Sequence, residues 1–63
     1  MREPLLVVSD GRIQIGAVFQ KQTQFEGVMV DGRSLGLFNK PQAAARAVSH
    51  EWHVARHAGE VLG

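Results

Sequence analysis

The segment Gly36-Leu37-Phe38-Asn39-Lys40-Pro41-Gln42-Ala43-Ala44-Ala45-Arg46-Ala47-Val48 constrains the fold more than any other part of the chain. Before it, Leu35 and Leu37 alternate at the period of a strand; after it, apolar residues recur at the period of a helix. Pro41 has no N–H to donate, so the first turn of a helix is where it fits without loss. The cap is then Asn39 or Lys40. With Asn39 as cap, Gln42 falls three residues later, as in a capping box. With Lys40 as cap, Pro41 takes the first helical position. Ala43, Ala44, Ala45 and Ala47 supply the highest intrinsic helix propensity available. A strand-rich first half is therefore expected to meet a single long helix at Pro41.

Upstream of this hinge, Met1–Pro4 reads as a lead-in closed by a proline. Leu5-Leu6-Val7-Val8 is a continuous apolar run, so as a strand it needs cover on both faces. It could pair within the chain or with a neighbour. Asp10-Gly11 and Asp31-Gly32 both carry the signature of tight hairpin turns. Between them, residues 12–20 and 24–30 form two further strands joined by the polar turn Lys21-Gln22-Thr23. In the first, Ile13, Ile15, Ala17 and Phe19 share one face, and Gln14, Gly16, Val18 and Gln20 the other. In the second, Phe25, Gly27 and Met29 oppose Gln24, Glu26, Val28 and Val30. Ser34–Phe38 is the last strand. The pattern predicts an α+β fold, a three- or four-stranded antiparallel meander packed on one C-terminal helix.

The helix is expected from about Pro41 to His57, with Gly59 as a C′ residue that ends it. At helical spacing Pro41, Ala44, Val48, Trp52 and Ala55 fall within an arc of about 80°. That arc is the predicted core face, with Trp52 its largest member. A second stripe of Ala43, Ala47, Val54 and Ala58 lies beside it. Val61 and Leu62 could fold back on the core.

Sixty-three residues make one domain, 1–63, close to the lower limit for independent folding. With no cysteine there is neither a disulfide nor a thiolate metal site to brace it. Self-association is an expectation from size alone. A net charge of +1 does not by itself call for a polyanion. No apolar run reaches the roughly 20 residues of a membrane span, and no signal-peptide pattern is present. The cytoplasm is the expected location.

His50, His53 and His57 fall within an arc of about 60° together with Arg46, opposite the Trp52 face. A structural metal site would need further ligands, and only Glu60 is near. A solvated polar face is the simpler expectation, so no metal or cofactor is predicted. Ser9, Ser34 and Ser49 sit in no nucleophile motif, no paired carboxylates occur, and the glycines are spaced as turns rather than as a phosphate loop. The chain is not expected to be an enzyme.

Gly36-Leu37-Phe38, Asn39-Lys40 and Ala44-Ala45-Arg46-Ala47, with Ile15-Gly16-Ala17-Val18 upstream, resemble the signature of a known group. These are the plant ethylene-response-factor DNA-binding domain and the arm-binding domain of phage and transposon integrases. Both pack a three-stranded antiparallel sheet on one helix. The resemblance covers roughly residues 12–50. Phe38-x-x-Pro41-x-Ala43-Ala44-Ala45-Arg46-Ala47-Val48 is also similar to the domain associated with restriction enzymes and adenine methylases. The resemblance implies a small DNA-binding accessory or regulator of phage, plasmid or restriction type. In the ethylene-response family the sheet face away from the helix enters the major groove and carries Arg, Trp and Glu. The matching positions here include Val18, Val28 and Val30, which cannot donate to bases or phosphates.

Two readings follow. DNA would be contacted by Arg12, Gln14, Gln20, Lys21, Gln22, Gln24 and Arg33, residue types that pair with base edges and phosphates. Alternatively the chain is a protein-interaction module or homodimer, using Val18, Val28 and Val30 as an apolar interface.

Overall fold

Three short connections set the strand order. A computed structural model describes the backbone of residues 3–62 and the side chains of residues 3–55. Strands β1 (Leu6–Asp10), β2 (Ile13–Lys21), β3 (Gln24–Met29) and β4 (Ser34–Phe38) precede one helix, α1 (Pro41–Leu62). The first hairpin closes on Gly11 and Arg12, since Asp10 already pairs with Ile13. Gly11 has φ +65°, so the loop places glycine first, as type II′ turns do. The Asp10-Gly11 signal thus marks the right hairpin, one residue early. The second hairpin turns on Gln22 and Thr23 between the paired Lys21 and Gln24. The third is longer than a two-residue turn. The Asp31 carboxylate accepts the Arg33 N–H at 3.0 Å, and Gly32 (φ +95°) donates back to the Met29 carbonyl at 2.9 Å.

All four strands form one antiparallel sheet in the order β1-β2-β3-β4, with α1 across one face. The expected α+β meander with a C-terminal helix is the observed architecture, in its four-stranded form. The Leu5–Val8 run pairs within the chain: Leu6 lies beside Val18, Val7 beside Ala17 and Val8 beside Gly16.

Two glycines determine which face the helix takes. A Cβ built on Gly16 would lie 2.5 Å from the Val28 carbonyl oxygen and 2.5 Å from Val48 Cγ1. One built on Gly27 would lie 3.2 Å from the Ala44 carbonyl oxygen. The helix therefore rests on a glycine saddle, with Ala44 and Val48 fully buried against it. Residues paired across β2 and β3 share a face, so Val18, opposite Gly27, also points at the helix. Val18 has 0% exposure. The expectation that it lies with Val28 and Val30 on the open face is incorrect. Strict alternation places Gly16 and Val18 on the wrong face of β2, while in β3 it holds.

The reason the phase misleads is a bulge. Val8 pairs with Gly16 but Ser9 pairs with Gln14, which leaves Ile15 as the extra residue. Ile15 is buried with Met29 and Val48, while Ala17 and Phe19 stay on the far face. A second irregularity follows in β4, where Gly27 faces Gly36 and Val28 faces Ser34. Gly36 takes φ +105° there, and Leu35 packs toward the core.

The helix starts where the sequence places it. Ala44 N–H donates to the Lys40 carbonyl at 3.2 Å, so Lys40 is the cap and Pro41 the first helical residue. Its far end differs from expectation. It runs through Gly59 to Leu62, and Val61 and Leu62 continue it instead of turning back. One glycine costs a helix only about 1 kcal/mol, which the flanking turns outweigh. Trp52 packs against the core cluster and is partly buried; Val54 and Ala55 are exposed, so the helix overhangs the sheet. Among the described residues no helix is long and apolar enough to cross a membrane.

Candidate interaction surfaces

Among the described residues no element covers the face of the sheet opposite α1. Its rows follow from the pairing. Val7, Ala17, Val28 and Ser34 lie side by side across the four strands, and Phe19, Glu26 and Leu37 form the next row. Val7 is 53% exposed and Leu37 50%, at opposite edges of the sheet. Val30 follows β3 and is 59% exposed. Gln14, Ala17, Phe19, Val28 and Val30 surround a shallow hollow of about 190 Å³. Of the expected interface residues, Val28 and Val30 lie here and Val18 does not. Val7, Ala17, Phe19 and Leu37 belong to the surface and were not anticipated. The two glycines under the helix, Gly16 on β2 and Gly27 on β3, are the feature from which they could have been found.

Charge on this face is internally balanced. Glu26 accepts a hydrogen bond from Ser34 Oγ at 2.8 Å and lies 3.9 Å from Lys21 Nζ. Among the described residues the rows of this face thus pair an acid, Glu26, with a base, Lys21.

The polar residues expected to contact DNA separate into two groups. Arg12 sits in the first hairpin loop and Arg33 in the third, at one end of the sheet. Gln20, Lys21, Gln22 and Gln24 surround the second hairpin at the other end. Along β2 the two ends are about 25–30 Å apart, at roughly 3.3 Å per residue. Gln14 stands alone between them, on the rim of the hollow. Arg33 Nη2 is tied to Glu51 Oε1 of the helix at 3.3 Å, an exposed pair worth at most about 1 kcal/mol. Lys40, at the helix start, lies at the Gln20–Gln24 end, because Phe38 pairs with Phe25.

No family model, curated protein or solved structure matches this chain. The reading of its surfaces therefore rests on their geometry.

Gln22 carries a backbone signature of its own. Its φ of +57° is the left-handed region, at a residue that is not glycine. Such a conformation costs about 1–2 kcal/mol for an L-residue. Gln20 Nε2 donates to the Gln22 carbonyl at 3.3 Å and helps hold the turn. Gln22→Gly keeps that acceptor and removes the strain. The expected result is a gain of about 0.5–1 kcal/mol in urea unfolding. A loss would show that the Gln22 side chain itself stabilises the hairpin.

His50 and His53 are exposed, as a solvated face requires, and the His57 side chain lies outside the described residues. Among the described residues no three His, Cys, Asp or Glu side chains come together in a metal-binding group.

Proposed function

We propose that this chain is a non-enzymatic protein-interaction module whose working surface is the open face of its sheet. The observation that carries the reading is the apolar set on that face, with Val7, Val30 and Leu37 exposed and Phe19 and Val28 half-buried around the buried Ala17. One side of the sheet is sealed by a helix seated on glycines, and the other has no covering element among the described residues. Open apolar faces of this kind mark association sites, because isolated in water they invite aggregation. A photo-crosslinking side chain at position 28 should form protein adducts in cells. The same group at His53, on the solvated helix face, should form none. Equal yields at the two positions would remove the open face as the working surface.

A second reading, DNA binding, is favoured by one observation. Gln20, Lys21, Gln22, Gln24 and Lys40 gather at one end of the sheet, beyond the edge of the apolar rows. Gln and Lys side chains suit base edges and phosphates. Gln20, Gln22 and Lys40 lie clear of the apolar rows, so a duplex can meet this end while the face is occupied and the two readings are compatible. In an amide titration with a mixed-sequence duplex, the expected shifts are confined to Gln20–Gln24 and Lys40. They should weaken steeply as salt rises and vanish in Lys21→Glu. Salt-independent shifts, or none at low salt, would end this reading.

A further inference from the structure

We infer that the partner on the open face is a second copy of this chain, the two sheets stacking face to face about a twofold axis. This rests on the open face being the working surface and names its occupant. Three observations point to self-association over a different protein.

The first is area. A monomeric protein of 6.9 kDa exposes about 4,000 Å². This chain exposes 4725 Å². The excess, about 700 Å², is close to the roughly 800 Å² that each partner contributes to a standard interface.

The second is the size of the core. Ile15, Val18 and Val48 are the only large side chains fully buried among the described residues. A core that small rarely yields more than about 3–5 kcal/mol, and small domains commonly make up the difference by oligomerising. Stacking two sheets at about 10 Å builds a second core from side chains already in place. Phe19, Val28 and Leu37 would be covered without any change in the strands that carry them.

The third is charge. A twofold interface presents the same patch to itself, so a net charge on it would repel its own image. Lys21 and Glu26 offset one another across adjacent strands, and the other described residues of the open-face rows are apolar or uncharged polar, Ser34, Gln14 and Gln24 among them. Nothing on the face selects an acidic or a basic partner. It is complementary to itself.

The test begins with the unaltered chain. Sedimentation equilibrium should give twice 6.9 kDa, and the urea midpoint should rise with protein concentration. A sample mixing isotope-labelled and unlabelled chains should show contacts between copies at the Val7, Val28 and Leu37 methyl groups. Val7→Lys and Leu37→Lys each place two like charges in the interface, from opposite edges of the sheet. Both side chains are about half exposed in the single chain, so each variant should keep the wild-type helical circular dichroism. Each should weaken self-association on the order of 100-fold or more.

A chain that stays at 6.9 kDa up to millimolar concentration overturns the second copy. The crosslinks at position 28 then stand as contacts to another protein, and the open-face reading survives. A dimer lost in Val7→Lys but intact in Leu37→Lys pairs along the β1 edge and overturns face-to-face stacking. A dimer indifferent to both substitutions overturns the inference and the open-face reading together.

Discussion

Gly16→Ala is expected to leave the chain largely unfolded in water, and Gly27→Ala to leave it folded but weaker. The difference lies in what each added methyl group meets. At Gly16 the new Cβ would stand 2.5 Å from the Val28 carbonyl oxygen and 2.5 Å from Val48 Cγ1. The carbonyl belongs to a paired strand and cannot move without breaking the ladder. Val48 is fully buried on the helix and has no space to retreat into. The helix would have to lift from the sheet, uncovering Ile15, Met29 and Val18 together. Overpacking a tight core usually costs about 1–3 kcal/mol, and more where backbone is struck. Against a total of roughly 3–5 kcal/mol that loss is decisive. At Gly27 the nearest atoms are the Ala44 carbonyl at 3.2 Å and Val48 Cγ2 at 3.4 Å. A shift of a few tenths of an ångström accommodates the methyl, at a cost of about 1 kcal/mol. Far-ultraviolet circular dichroism and urea midpoints measure both. A wild-type midpoint for Gly16→Ala would mean that the helix does not rest on β2 as described.

The same glycines explain what the sequence discloses and what it conceals. The architecture was legible because its signals are local. Pro41 after an alternating segment, an alanine-rich helix start and two Asp-Gly dipeptides are read without knowing what packs where. The facing of β2 is not local. Alternation says that Ala17 and Val18 point opposite ways, but not which one meets the helix. Gly16 and Gly27 resolve it, since a helix approaches a sheet most closely where side chains are missing. The bulge at Ile15 then hides the answer by sending two consecutive residues, Ile15 and Gly16, inward. Alternation alone therefore places Val18 on the open face, whereas it is fully buried under the helix. For the polar residues, Arg12 and Gln22 are ten positions apart in sequence, and counting along one strand already separates them. Reading them as one site overlooked that a hairpin meander sends alternate turns to opposite ends. The far end of the helix was misjudged because one glycine is a weak stop when no proline follows it.

Trp52 supplies the second large effect, and its size depends on the replacement. Trp52 packs on Ile15, Met29 and Val48 from the turn of α1 just before the helix leaves the sheet. Trp52→Ala strips that cluster of its one large aromatic cover, and truncations of this kind cost about 3–5 kcal/mol. The side chain is only partly buried, so the lower end of that range applies, still enough to unfold most of the population. The indole nitrogen behaves differently from the ring. Nε1 is buried and has no hydrogen-bond partner among the described residues. A buried donor left unsatisfied costs about 1–3 kcal/mol. Phenylalanine keeps an aromatic ring over the cluster, loses some contact area and discards the stranded N–H. Trp52→Phe is therefore expected to lie within about 1 kcal/mol of wild type, on either side, while Trp52→Ala falls well below it. Urea unfolding followed by circular dichroism measures both, since the substitutions remove the natural fluorophore. If Trp52→Phe lost as much as Trp52→Ala, the indole N–H would have to be bonded, and its place in the core would need another account.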